Sequence, residues 1–386
     1  MADGDASKTD IAAATDDATA AEGPAAADAG HDPDGAMTTT HRVAVEDARD
    51  LSLPDESVEL VVTSPPYPMI ELWDDLFADL SPEVAAALEA DDGEAAYDAM
   101  HAVLADVWAE LERVLVPGGV ACVNVGDATR TLDDRFRVYS NHVRVTEAFE
   151  RLGLEPLPGV VWHKPSNSAA KFMGSGMLPP NAYVTQEHEY VLVFRKGARR
   201  EFEPGADRRY ESAFFWEERN RWFSDVWTDV RGRFQDLDDD DLRDRSAAFP
   251  FELPYRLINM YSVYGDTVLD PFWGTGTTSL AAMVAGRDSV GVELDGEFAG
   301  HFEAQVADVP ETAREVVARR LADHRAFVAD RAADGDSLTY ESVHYGVPVM
   351  TKQEQDLRFY VAEAVTDEGD GTYRVAYEPA EDVLAD

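Results

Sequence analysis

Seven short β-branched runs, spaced by longer stretches with apolar residues at helical intervals, decide what this chain can fold into. They are "HRVAV", "VELVVTS", "GVACVNVG", "GVVWHK", "EYVLVFRKG", "TVLDPF" and "SVGVEL". Between the second and third stands "AMHAVLADVWAELERVL", with the periodicity of an amphipathic helix and a stop at Pro117 and Gly118. "VRVTEAFERLGL", "LPYRLINMYSVY" and "SLAAMVAG" read as further helices. Strands that are apolar along their whole length, alternating with helices, predict a doubly wound, mainly parallel α/β sheet. In such a sheet, ligands bind at the carboxyl ends of the strands.

Two of those ends carry unusual chemistry. "VELVV" runs straight into "TSPPYP", residues 63 to 68. Proline has no backbone donor and fixes its own φ, and it pushes the preceding residue to extended geometry. The expected result is a stiff loop of acceptors beside an aromatic ring. The Ser64 hydroxyl and Pro65 carbonyl suit the hydrogens of an exocyclic amine, and Tyr67 suits the face of the ring that carries it. A plain proline turn is the bland alternative.

The second end is "VLDPFWGTGTTSLAA", residues 268 to 282. Gly274 and Gly276 let the backbone turn with positive φ and approach a ligand, and the helix that follows offers free amides. A phosphate loop needs a lysine after the second glycine, and a dinucleotide fingerprint needs a third glycine where Ser279 stands, so both are disfavoured. Asp270 at the strand end favours a cationic ligand over a pyrophosphate. Glu293 ends the next strand about twenty residues on, where a carboxylate can accept both hydroxyls of a ribose.

Composition bounds the rest. Lys plus Arg number 33 against 76 Asp plus Glu, a net charge of −43, and only five of the basic residues are lysine. Such a surface repels nucleic acid at ordinary salt. The acids are spread along the whole chain, so the charge is read as a halophile's adaptation to concentrated salt and not as a statement about the partner. Residues 128 to 233 depart from it, with 17 Lys plus Arg against 15 Asp plus Glu. Within them, "ARREFEPGADRRYESAFFWEERNRWFSDVWTDVRGRF" mixes arginines with aromatics, as phosphate and base contacts require. An arginine-laced surface paired to its own carboxylates is the alternative for any single residue. His163 and Lys164 can reach phosphate, or form an ordinary strand-end pair. Cys122 is the only cysteine, which excludes a disulfide framework and a thiolate metal site. No metal is expected, and no membrane span or signal peptide is legible, so the expected compartment is the cytoplasm.

Together the two loops resemble the S-adenosylmethionine-dependent DNA methyltransferases that act on cytosine N4 or adenine N6. "TSPPYP" is similar to that family's catalytic motif, and residues 249 to 295 to its cofactor region. The resemblance covers roughly residues 41 to 305 and has the permuted motif order of the beta group. It implies a Rossmann-like methyltransferase sheet with an inserted target-recognition segment and a small C-terminal extension. It also implies that Asp270, Phe272, Gly274, Gly276 and Thr277 surround the methionine part of the cofactor. Glu293 would then sit on the ribose and Asp47 near the adenine, although a surface turn also explains Asp47. Ser64, Pro65, Pro66 and Tyr67 would hold a base flipped out of double-stranded DNA. Serine in the first catalytic position resembles the cytosine-N4 enzymes, with or without a paired restriction endonuclease. The expected organisation is a disordered tail over 1–39 and a methyltransferase domain over 40–305 with its recognition segment near 198–247. One charged helix over about 303–333 and a small appended unit complete it.

Overall fold

The computed structural model describes residues 37–164, 173–231, 249–336 and 338–383. Residues 1–36, and with them most of the expected tail, lie outside the described residues. In chain order the main strands are β1 (Met37–Val45), β2 (Val58–Thr63), β3 (Leu115–Val125), β4 (Leu154–His163), β5 (His188–Lys196), β6 (Val226–Trp227), β7 (Thr267–Asp270), β8 (Asp288–Glu293), β9 (Tyr360–Gly369) and β10 (Thr372–Pro379). The helices used below are α1 (Asp74–Leu80), α2 (Gly93–Val114), α3 (Asn141–Arg151), α4 (Trp216–Trp222), α5 (Glu252–Tyr261), α6 (Thr277–Ala285), α7 (Glu297–Val306) and α8 (Val309–Ala333).

All ten strands join one sheet in the order β6-β4-β5-β3-β2-β7-β8-β1-β10-β9. The centre is parallel: β3, β2, β7, β8 and β1 pair side by side in one direction. Near-continuous burial of β2, β3 and β7 explains why those runs lack polar alternation, whereas β1 alternates buried and exposed residues. β5 is reversed against both β3 and β4. Among the described residues no helix lies between β4 and β5, and a parallel return needs a crossover.

One apolar cluster packs α5, α6 and α8 on one face of the sheet, and a second packs α2 and α3 on the other. In α2 the buried positions include Ala96, Met100, Val103, Leu104, Val107 and Leu111, one stripe of a 3.6-residue period. The Asp92 carboxylate caps this helix by accepting from Ala95 N–H at 3.1 Å. Pro117 and Gly118 do not end it directly. α2 stops at Val114, and both residues lie in the irregular first turn of β3, where Gly118 has φ +81°.

Three expectations are corrected. The long C-terminal helix is two, α7 and α8, broken at 307–308 with Pro310 in the first turn of α8, where its missing donor costs nothing. The C-terminal strands are no separate unit, because β10 pairs with Met37–Arg42 of β1 and β9 pairs with β10. The tail boundary moves for the same reason, since Met37, Thr38 and Thr39 are ladder residues. β10 covers an edge that β1 would otherwise leave open. No helix among the described residues is long and apolar enough to cross a membrane.

Candidate active site

β2 and β7 are neighbours, with Leu60 beside Val268 and Val61 beside Leu269, so the two loops singled out in the sequence leave the sheet side by side. From β2 the chain moves to β3 on one side, and from β7 to β8 on the other. That reversal is where an open α/β sheet forms its crevice. A cavity of about 700 Å³ lies there, walled by both loops, the end of β8, and Trp73, Leu76, Phe77 and Leu80 at and along α1. Its size suits a small-molecule site.

Ser64, Pro65, Pro66, Tyr67, Asp47, Asp270, Phe272, Gly274, Thr277 and Glu293 all line this one space. Gly276 does not. It stands behind the wall at φ +80° as the N-cap of α6, and a Cβ there would meet Phe302 at 2.5 Å. Gly274, at φ +53°, is the reverse case. A Cβ there would meet only the Phe272 carbonyl, at 4.0 Å, and would otherwise project into open space. Ser279, in place of a third glycine, accepts the Trp273 indole N–H at 2.9 Å and so anchors the turn.

The carboxylates of the glycine turn are already occupied. Asp270 is 3% exposed, and it accepts from Thr63 Oγ1 at 2.7 Å, Thr278 Oγ1 at 2.6 Å and Phe272 N–H at 3.1 Å. Burial pushes its pKa up to about 6 against those bonds. These bonds make Asp270 a brace of the turn as well as part of the cavity wall. Glu293 accepts from Gly274 N–H at 2.7 Å and Asp295 N–H at 3.0 Å. Asp47 is bound by the Arg49 guanidinium at 2.6 Å, which holds its carboxyl below the usual range. Six carboxylates line the cavity, those of Glu46, Asp47, Asp75, Asp270, Glu293 and Asp295, with Arg49 as the one guanidinium among the described residues. The field favours a cation and opposes a phosphate.

The prolyl loop is held from further away. Tyr67 Oη donates to Glu189 Oε2 at 3.0 Å, accepts from Asn124 Nδ2 at 2.9 Å and lies 3.0 Å from Ser64 Oγ. Asn124 Nδ2 also reaches Glu189 Oε2 at 2.7 Å, and Lys164 Nζ reaches Oε1 at 2.7 Å. Burial first, then the Glu189 charge, pushes the Tyr67 phenol well above its ordinary pKa. Asn141 fastens the loop's base by donating to the carbonyls of Pro68 at 3.1 Å and Gly126 at 2.9 Å. Met69, just after the motif, is buried at φ +69°, a strained conformation for that residue type.

Sequence reasoning missed Asn124 and Glu189, although each carries a signal. Glu189 has the same strand parity as the buried Val191 and Val193, and Asn124 interrupts an apolar run. A polar residue on a buried face needs a partner. Lys164 resolves as a strand-end ion pair, and His163 Nε2 lies 4.0 Å from Glu187. In the arginine-rich segment Arg200 and Arg221 are ion-paired, and Arg208, Arg209 and Arg219 lie over phenylalanine rings. Phe215, Trp222 and Trp227 are core residues, and Arg200 is bound to the buried Asp266 at 2.7 Å. Residues 232–247 of the expected recognition segment lie outside the described residues.

Comparison with known proteins gives this site its context. Residues 58–303 match the DNA methylase family model for N6 and N4 methyltransferases. The chain is 51% identical over 328 residues to type II methyltransferase M.MthZI of Methanothermobacter thermautotrophicus, covering 84% of this chain and 91% of that protein. It is 49% identical over 271 residues to M.MjaI of Methanocaldococcus jannaschii, covering 67% and 88%. Among solved structures, TTHA0409 of Thermus thermophilus, named as a DNA modification methylase and complexed with S-adenosyl-L-methionine, superposes with a TM-score of 0.54. The two are 34% identical, over 70% of this chain and 94% of that one. The cavity fits that cofactor, since its carboxylates suit a sulfonium cation and Gly274 leaves open the space a side chain would fill. The chain belongs to the N6/N4 DNA methylase family, as a DNA methyltransferase whose cofactor is S-adenosylmethionine.

Proposed function

We propose that the chain methylates the exocyclic N4 amine of a cytosine flipped out of double-stranded DNA. The observation that carries the amine reading is the neutral hydroxyl of Ser64, seated on the cavity wall beside Tyr67, and the choice of cytosine rests on serine in the first catalytic position, where the chain resembles the cytosine-N4 enzymes. The cofactor supplies an electrophilic methyl group when bound. The chain's own residues do the rest. Glu293 takes the ribose end, Asp47 the adenine end, and Phe272, Gly274 and Thr277 the methionine end, with Asp270 and Gly276 fixing the turn behind them. Ser64 and the Pro65 carbonyl accept the amine hydrogens. The amine lone pair is delocalised into the ring, and acceptors on its hydrogens favour the pyramidal form that attacks a methyl group. Tyr67 stacks on the ring, a contact worth about 1–3 kcal/mol.

Proton bookkeeping sharpens this reading. The Tyr67 proton goes to Glu189, so the Ser64 proton goes to Tyr67 and Ser64 faces the amine as an acceptor. A serine donation to the ring nitrogen is thereby removed as the basis of choice, and discrimination between cytosine and adenine falls to pocket size. The type II relatives support a modification role for the chain, with or without a partner endonuclease. The net charge of −43 is read as adaptation to molar salt, where the test belongs. Purified enzyme in molar KCl with tritiated cofactor and duplex DNA, followed by nucleoside mass spectrometry, is expected to yield N4-methylcytosine. N6-methyladenine as sole product overturns the base assignment.

A further inference from the structure

We propose that Glu189 is a positioning residue that fixes the polarity of the Ser64–Tyr67 hydroxyl pair, so that Ser64 turns lone pairs and not its proton toward the target amine. The proposal rests on the reading above that this wall receives an amine-bearing base.

Protons and lone pairs set the order of this network. Tyr67 Oη has one proton and two lone pairs, and it has three partners within 3.0 Å. A carboxylate only accepts and a side-chain NH₂ group only donates. The phenol proton therefore goes to Glu189, one lone pair is taken by Asn124, and the remaining lone pair is met by the Ser64 proton. Ser64 is left with acceptor capacity alone on its cavity side.

Glu189 can impose this order because it is itself pinned. It is 9% exposed, Lys164 holds Oε1, and Tyr67 with Asn124 holds Oε2. A neutral amide in its place releases the fixed order of the chain. Lys164 still demands an acceptor, so the glutamine oxygen takes the Oε1 place and its NH₂ group faces Tyr67. Asn124 must then turn Oδ1 toward that NH₂ group, and the Tyr67 proton has two acceptors, Asn124 Oδ1 and Ser64, so the Ser64 proton is no longer held on Tyr67 and can point into the cavity. Asn124 can rotate to accommodate the change, because its Oδ1 is buried without a hydrogen-bond partner. Such a site would receive a carbonyl about as readily as an amine.

The test is a binding ratio in the full chain. Duplexes carry the methylated site, found by sequencing modified DNA, with either cytosine or uracil at the target position and an abasic site opposite, so that the pairing cost is the same for both. Wild type is expected to bind the cytosine duplex at least tenfold more tightly than the uracil duplex in fluorescence competition. E189Q is expected to bring that ratio to within about twofold of unity, with S-adenosylmethionine affinity and non-target DNA affinity unchanged. Y67F, which keeps the ring and removes the relay oxygen, is expected to erode the ratio as well, and it guards against misfolding of E189Q. Retention of the wild-type ratio in both variants overturns the proposal while leaving cytosine recognition intact. A wild type that prefers neither base overturns the proposal together with the amine reading. If mass spectrometry shows adenine as the target, the same comparison is made with adenine and hypoxanthine, and the polarity argument is judged on that pair.

Discussion

The glycine-turn rim of the cavity holds itself mainly through neighbours in sequence, whereas the prolyl rim is held by strands far along the chain. On the first rim, Gly274 and Asp295 N–H both end on Glu293, and Phe272 N–H and Thr278 on Asp270. On the second, the Tyr67 hydroxyl depends on Asn124 and Glu189, 57 and 122 residues away. The first rim is a backbone device, with buried carboxylates bracing a turn. The second is a side-chain network whose hydroxyl protons have a fixed direction. Damage to each should therefore read out differently, in cofactor binding on one side and in base handling on the other.

The sharpest break comes from Tyr67→Ala. Loss of about 1–3 kcal/mol of stacking, together with the partner of the Ser64 hydroxyl, should lower kcat at least about a hundredfold. Calorimetric titration should find S-adenosylmethionine affinity within twofold of wild type. A large loss of cofactor affinity would mean that the two rims are one unit.

Next come the two glycines of the turn. Gly276→Ala forces a left-handed residue with its Cβ into Phe302 and Trp273, and should destabilise the fold by about 3 kcal/mol in urea unfolding. Gly274→Ala places its methyl in the cavity. It should cost about 1 kcal/mol of backbone strain and show its main effect as weaker cofactor binding. Equal unfolding losses in the two variants would remove the distinction between a packing glycine and a ligand-facing one.

Glu293→Ala should weaken S-adenosylmethionine binding by about ten- to a hundredfold, through lost charge-assisted hydrogen bonds of roughly 1.5–3 kcal/mol. Uracil-against-cytosine discrimination, measured at saturating cofactor, should stay as in wild type. Unchanged affinity would take Glu293 out of the binding wall.

The smallest effect concerns pH. Burial raises Asp270 to about 6, so the folded protein holds this proton more tightly than the unfolded chain does. The resulting stability is fully present below the unfolded pKa near 3.8 and is lost as pH rises through about 6. Urea unfolding at pH 4.5 and pH 7 should therefore show a fall for wild type that is smaller in Asp270→Asn, where the Thr63 and Thr278 hydroxyls can rotate to match the amide. The same fall in both proteins would mean that Asp270 does not carry it.

The sheet and the first rim were legible because their signals are local. Runs such as "VELVV" and "GVACVNV" can be buried on both faces only as central strands, and Asp270, Gly274 and Glu293 keep a spacing that one strand-turn-helix-strand unit imposes. Ten of the residues named from the sequence or from the resemblance line the cavity, and Gly276 stands behind its wall against Phe302. In the arginine-rich segment, composition does not reveal which single residues are paired. Arg200 reads as a phosphate contact until Asp266, 66 residues away, is seen to bind it.

What the sequence determined by itself was the α/β alternation, the two loops and their chemistry, since backbone restriction at proline and glycine and the burial of apolar runs act on neighbouring residues. What only the tertiary structure decided was which strand β5 would oppose, that β10 would close the edge at β1, and that Glu189 would meet Tyr67. Those outcomes depend on which groups packing brings within about 3 Å, the distance at which a hydrogen bond acquires its direction. The direction of the Ser64 proton is set by that meeting.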